Sequence, residues 1–500
     1  MAVSTLDEGA RAAVEGSWPV LPRERTWGSV ALLGVCVSAS VATWIFITGG
    51  FVAFYLPAGQ GAITMIAGSL FGILLIILAL LRVTTRYGID SVAASTPQLG
   101  TRGSYFALAL TYCSVIGWNT LLLVFLGRAA AEILISTGVA GEGARQPLIV
   151  VFGLLGVVAA WMILRGGPAR MRNIAPAIAA GVVVLAVVLL IALITNVGWD
   201  TIADAPALAP AESQLFNYVT GFELLVASML SWWPYVGGTV RLAPGTKTAL
   251  WPTVFGLGLA ISLLSMIGLF AALAVPESGG DPTTYLVEVG GLWLGLPALA
   301  FIILANVATT MVGVYVSALA LKQIPTLQTR LSWNAATALT LAPVVIVLLL
   351  APNWVFDNFG TFLAFIGVVF APLCGIQIMD YVVFRKHTLD LRAVFLGRRG
   401  DAYHYWAGFN PAGFAGLLAG AGTYIYLLDP ILFVSRTPYE YLSASLPSAL
   451  VAGIVYGLIT KFVIMPAGLG GYSSPVMTDP RQASFPPSRL KEEVSEPTPP

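Results

Sequence analysis

Ser231-Trp232-Trp233-Pro234-Tyr235-Val236-Gly237-Gly238 lies in an apolar run over 215–240, and Ser38-Ala39-Ser40-Val41-Ala42-Thr43, followed by Gly49-Gly50, lies in another over 28–56. A helix that crosses lipid unbroken satisfies its own backbone groups and has none left for a polar solute. A helix interrupted halfway frees amides and carbonyls that a solute or an ion can use. Pro234 removes an amide donor and clashes with the preceding turn, and the glycine pair after it permits unwinding. The two runs are the first and the sixth of the chain, corresponding members of two five-helix halves, and such paired interruptions point to an inverted-repeat transporter. The competing reading is ordinary packing and kinking, since Gly and Pro are common in membrane helices.

Ten further apolar runs accompany these two, roughly at 62–82, 104–137, 147–165, 173–197, 250–275, 290–321, 332–351, 357–384, 407–428 and 441–465. Each is continuous rather than alternating, which excludes a β-barrel. The expected fold class is therefore an all-α integral membrane protein with about twelve transmembrane helices. The 500 residues are 57% hydrophobic and 10% charged, with a mean hydropathy of +0.86. A soluble surface needs roughly 25% charged residues, so a soluble enzyme and a disordered protein are excluded. The net charge of +1 gives no basic face for nucleic acid.

Cys36, Cys113 and Cys374 stand singly, and His387 and His404 share one polar segment. No metal-ligand spacing or disulfide framework results. The spans hold no His and few acids, which disfavours a membrane enzyme, and no GxxxxGK[ST] loop is present for ATP. No ring motif of a channel filter appears. No cofactor is expected.

With a cytoplasmic N-terminus, fifteen Lys and Arg fall in inner loops and two, Arg145 and Arg436, in outer loops. The positive-inside bias then places both termini in the cytoplasm and the protein in the cytoplasmic (inner) membrane. Residues 1–27 read as a cytoplasmic segment without a cleavable signal, 28–465 as the transport domain, and 466–500 as a disordered cytoplasmic tail.

Within the spans, Gly117-Trp118-Asn119-Thr120 sets a carboxamide beside an indole. That pairing suits a flat, hydrogen-bonding solute, or equally an interhelical amide bond beside a packed ring. Ala305-Asn306-Val307-Ala308-Thr309-Thr310 carries oxygens for a small hard cation, although Thr in a helix often bonds its own carbonyls. A charge inside a span costs about 2.5–3.5 kcal/mol. Arg128 and Glu132, four apart, are expected to pair. Glu223 reads as facing the outer vestibule, with a proton site as the alternative. Phe359-Gly360-Thr361 and Gly367 mark the tenth span as a candidate thin gate, with small-residue packing as the alternative.

Four stretches resemble the nucleobase–cation symporter family, which includes hydantoin and cytosine permeases. They are Tyr87-Gly88-Ile89-Asp90 with Leu99-Gly100-Thr101-Arg102-Gly103-Ser104; Trp232-x-Pro234-Tyr235 with Arg241; Thr309-Thr310 with Tyr315-x-Ser317; and Ala371-Pro372-Leu373-x-Gly375-Ile376-x-Ile378-x-Asp380-Tyr381, with Arg385-Lys386 and Tyr405-Trp406-x-Gly408-x-Asn410 after it. The resemblance implies an inverted five-helix repeat (LeuT-like), here about 28–197 and 215–384, plus two extra helices over 407–465. It implies cation-coupled uptake of a heterocycle by alternating access.

The resemblance also implies site residues. Cation-binding carbonyls fall on Ser38, Val41 and Ala305, and cation-binding hydroxyl positions on Ala308 and Thr309, of which only Thr309 keeps the hydroxyl. Sodium or a proton is then the coupling ion. Substrate contacts fall on Ala42, Val115, Asn119, Ser228, Met229 and Val314. The hydantoin-type pattern has an aromatic at the positions of Val115 and Met229 and an amide at Val314, all absent here. Trp118 and Trp232 lie three residues further on, near one helical turn, and are expected to take over stacking while Asn119 reads polar edges. Hydantoin itself is not the expected substrate. An amino acid or other small organic solute on the same fold is the alternative cargo.

Overall fold

The computed structural model describes residues 18–40, 42–165 and 169–472. Val41, the polar segment 1–17 and most of the expected tail, 473–500, lie outside the described residues. Among the described residues the regular structure is helical, with two isolated bridges, Trp406 to Phe409 and Leu428 to Ser435.

The helices follow the twelve apolar runs. Nine helices among the described residues are long and apolar enough to cross a membrane, and the bent pair of span one makes a tenth. Spans six and eleven are crossed by 17-residue helices, Gln214–Leu230 and Pro411–Leu427. The Val20 amide donates to the Gly88 carbonyl and the Trp27 amide to the Leu242 carbonyl, so the start of span one lies beside the ends of spans two and six. Span three (Ser104–Ser136) packs along span eight, which runs to Leu321 from a break at Gly291 (φ 60°, ψ −179°) and is preceded by a short helix that starts at Pro282.

Span one breaks as expected. Ser29–Ser40 and Trp44–Tyr55 meet at 59°. Span six is also interrupted, within the quoted stretch but at Ser231-Trp232 rather than at the glycine pair, and both residues keep right-handed helical dihedrals. Gln214–Leu230 ends at Ser231-Trp232, and a second helix, Trp233–Val240, begins there with Pro234 in its first turn. Proline is tolerated in a first turn, where its missing amide would have no partner anyway. Gly237 and Gly238 are helical, not unwound. A Cβ on Gly237 would lie 2.2 Å from Ser91 Oγ, and one on Gly238 2.8 Å from Val316 Cγ1. Gly49 and Gly50 are likewise helical and pressed against the Ser265 and Gly279 carbonyls. All four glycines serve close helix approach rather than unwinding.

Irregular turns free further backbone groups. Val254–Leu259 of span seven is a π-helical turn, which leaves carbonyls without their usual helical donors. Ser40 Oγ donates to the Gly256 carbonyl at 3.1 Å and Ser69 Oγ to the Gly258 carbonyl at 2.6 Å. The two serines thereby tie spans one and two to span seven.

Arg128 and Glu132 do not pair with each other. Arg128 binds Asp281 at 3.0 Å, and Glu132 binds Arg145 at 2.7 Å. Glu223 is buried, and its carboxylate accepts from the Ala444 and Ser445 amides and from Ser445 Oγ. It thus caps the helix Ser445–Ile459 of span twelve, and it also lines a cavity with Leu224, Gly360, Tyr424 and Tyr439.

Ordered chain continues past 465. At the end of span ten, beside the end of span two, Asp380 Oδ2 accepts from Arg385 Nε and from Gln98 Nε2, both at 2.7 Å. Its Oδ1 accepts from Tyr472 at 2.8 Å, and Arg385 donates to the Gly470 carbonyl at 2.8 Å. Residues placed in the tail by sequence are therefore fastened to span ten.

Candidate functional site

The breaks in spans one and six face each other through aromatic rings. Trp44, the first residue after the span-one break, has its ring centroid 5.1 Å from Trp118 of span three and 6.3 Å from Trp232 at the span-six break. Trp118 also meets Phe362 at 5.2 Å and Phe359 at 5.9 Å, both edge-on and both from span ten. Trp44, Trp118 and Trp232 are all buried. Trp118 and Trp232, the rings expected to stack on cargo, are thus both in ring contact with Trp44. Trp44 was not singled out by sequence, because a Trp within an apolar run reads equally well as a lipid-facing or packing residue.

Asn119 is fully buried, and its side chain lies against Gly313 of span eight, where a Cβ would sit 2.4 Å from Oδ1. Among the described residues neither Oδ1 nor Nδ2 has a hydrogen-bond partner, and the same holds for Trp118 Nε1 and Ser228 Oγ. An unsatisfied buried polar group costs about 1–3 kcal/mol. Spans three and six therefore present two donors, an acceptor and a hydroxyl that wait for a partner. The expected interhelical amide bond of Asn119 is not formed.

The remaining expected contacts divide. Ala42, Val115 and Val314 are buried and offer only apolar surface. Met229 packs against Gly72 of span two, where a Cβ would meet Met229 Cβ at 2.5 Å.

The break in span one is bridged by span eight. Asn306 Nδ2 donates to Thr43 Oγ1 at 2.8 Å, and the Thr43 amide donates to Asn306 Oδ1 at 3.4 Å. One turn away, Thr309 Oγ1 donates to the Ser38 carbonyl at 3.3 Å and to the Ala305 carbonyl at 3.1 Å. Three of the oxygens expected to hold a cation are therefore together. Ala308 is buried and adds no oxygen from its side chain, and Val41 lies outside the described residues. Carbonyl and hydroxyl oxygens are a suitable donor type for a hard cation. Asn306 is the residue that reading the stretch for hydroxyls passed over.

The comparisons with known proteins agree with this geometry. The family model described as a permease for cytosine/purines, uracil, thiamine and allantoin matches residues 19–435. A hydantoin permease from Microbacterium maritypicum is 24% identical over 456 residues, covering 86% of this chain and 88% of that protein. The chain superposes with a TM-score of 0.71 on Mhp1, a nucleobase-cation-symport-1 family transporter in a closed conformation with bromovinylhydantoin bound, at 19% identity over 89% of this chain and 95% of that one. A Na+-coupled sialic acid symporter in its substrate-bound outward-open state gives 0.56 at 13% identity, over 87% of this chain and 90% of that one. The LeuT-like arrangement of broken helices is thus shared with transporters of different cargo. Interrupted first and sixth spans, an unpartnered carboxamide on span three against span eight and a match over most of the length converge, and the chain belongs to the family of permeases for cytosine and purines, uracil, thiamine and allantoin.

Proposed function

We propose that this permease imports a nucleobase or related nitrogen heterocycle across the cytoplasmic membrane, with both termini inside, by cation-coupled alternating access. The observation that carries the reading is Asn119: a fully buried carboxamide with both polar atoms unpartnered, beside the free indole N–H of Trp118. A carboxamide both donates and accepts, so it matches the adjacent carbonyl and ring N–H of a neutral heterocycle edge. No formal charge sits among the rings, which fits an uncharged cargo. Ala42, Val115, Ser228, Trp232 and Val314 complete the site in this reading, and Met229 supports it from the span-two side.

The coupling ion, sodium or a proton, acts where span one meets span eight. Sodium is held there by Ser38, Ala305 and Thr309, with the Val41 carbonyl as a further ligand and Ala308 leaving the shell one hydroxyl short; a proton would need a titratable group instead. An ion that bridges the two spans favours whichever state brings them together, and shifts the equilibrium only by its difference in affinity between states. Span ten, whose Phe359 and Phe362 rest on Trp118, serves as the thin gate.

An amino-acid cargo is supported less well. Its carboxylate would need the amides freed at the span-one break, and the Thr43 amide is already given to Asn306. The test is thermal unfolding of purified protein with cytosine, uracil, adenine, allantoin or amino acids, each with and without sodium. A ligand at a hundredfold its Kd stabilises by about 2.7 kcal/mol. Protection by a heterocycle, lost in Asn119→Ala, is the expected result. Protection by amino acids alone overturns the reading.

A further inference from the structure

Resting on the heterocycle site just described, we infer that Trp44 is the residue that sets the size of the ligand, by filling with its own indole the slot that a second fused ring would occupy. The argument begins with position. Trp44 is the first residue of the helix that restarts after the break in span one, so its side chain leaves the backbone at the level where the two interrupted spans meet. Its ring touches Trp118 on one side and Trp232 on the other, at 5.1 and 6.3 Å between centroids. Span one thus contributes the ring that meets both, Trp118 edge-on at 64° and Trp232 tilted at 45°.

The chemistry of that ring is the second step. An indole is a flat, fused two-ring group with one edge N–H, close in outline to a fused bicyclic heterocycle. Where an aromatic slot is already filled by such a group from the protein, cargo must fit beside it, against Trp118 and Asn119. That leaves an edge-reading site for a single ring. The same geometry says what removal does. Aromatic walls held by neighbouring helices close over a deleted side chain only partly, so Trp44→Ala leaves an indole-sized space bordered by the Trp118 and Trp232 rings, which lie at 64° and 45° to the Trp44 plane. A ligand with a second ring fills it and regains contacts with both rings. A one-ring ligand does not reach it.

The remaining walls do not carry this selection. Phe359 and Phe362 meet Trp118 edge-on from span ten, and Tyr235 meets Trp232 at 5.1 Å from within span six. Each touches one tryptophan of the flanking pair, whereas Trp44 touches both.

The experiment measures competition by one-ring probes (cytosine, uracil) and fused two-ring probes (adenine, hypoxanthine) on the full chain in proteoliposomes. It compares wild type, Trp44→Ala, Trp44→Phe, Trp44→Leu and Asn119→Ala. Expected is a one-ring preference in wild type that moves toward two-ring probes by about tenfold or more in Trp44→Ala, which is about 1.4 kcal/mol of discrimination, with Trp44→Phe in between. A purely structural Trp44 would weaken all probes alike and leave the ratio in place. Should Trp44→Ala not fold, Trp44→Leu, which keeps much of the bulk but not the plane, is read by the same ratio. An unchanged ratio alongside loss of one-ring binding in Asn119→Ala overturns the size inference and leaves the site standing. Unchanged binding in Asn119→Ala overturns the site itself.

Discussion

Arg128 of span three donates to Asp281 at 3.0 Å, although Asp281 is 153 residues away in sequence and Glu132 is one helical turn away. Asp281 is buried and also caps the short helix that begins at Pro282, before the Gly291 break that precedes span eight, accepting from the Thr283 amide and hydroxyl. Arg128 further reaches Asn353 at 3.2 Å and lies 3.8 Å over the Phe356 ring, just before span ten. One guanidinium thus joins span three to the entrances of spans eight and ten. The guanidinium is 18% exposed, so water softens the loss of the pair. Arg128→Ala is expected to lower stability by about 1–3 kcal/mol, the cost of a buried acceptor left short. Arg128→Lys should fall between, since an ammonium lacks the planar fork. Thermal unfolding of the three proteins checks the order.

At the proposed cation site, Thr309→Ala removes a hydroxyl that lies on the Ser38 and Ala305 carbonyls. Half-saturation by the coupling ion should rise about tenfold, a difference of about 1.4 kcal/mol. Ala308→Ser restores an oxygen and should lower half-saturation by sodium. Uptake against a sodium titration at fixed pH reads both. Sodium-independent uptake in all three proteins, driven instead by a pH gradient, would assign the coupling to protons.

Glu223 sits on the first amides of span twelve. Glu223→Ala should destabilise by about 1–3 kcal/mol through loss of the cap. Glu223→Gln keeps an acceptor and should cost less. The pH profile of uptake in Glu223→Gln should parallel that of wild type. A profile that flattens would make Glu223 a proton carrier instead.

Gly237→Ala tests packing against unwinding. Its Cβ would lie 2.5 Å from the Ser91 amide nitrogen, and Ser91 Oγ already donates to the Trp233 carbonyl at 2.6 Å. If Gly237 served to unwind the helix, alanine would lower uptake with stability intact. Close packing instead makes the variant less stable, by roughly 1–3 kcal/mol as for other overpacked sites. Unfolding and uptake measured together separate the two.

The spans and the break in span one are legible because they depend on composition along a single stretch. Ser38 to Thr43 is a run of small residues flanked by bulky apolar ones, and the helix gives way there. Span six shows the limit. Pro234 and the glycine pair are the visible features, but a proline can open a helix as well as end one, and glycines serve approach as well as unwinding. Which role applies depends on Ser91 and Val316, which come from other parts of the chain. The pairing of Arg128 failed for the same reason, since helical spacing reports only local neighbours. Asn119 and Trp118 are legible as an amide beside a ring, whereas Trp44 acquires its meaning only when spans three and six close on it.

Tyr472 holds Asp380 from beyond the last span, and Gly470 accepts from Arg385 beside it. A purification handle or fluorescent reporter attached directly after Met465 would replace that phenol and release span ten from its anchor. Fusions meant to report on the transporter should begin after Tyr472, since an earlier junction alters the behaviour it is meant to follow.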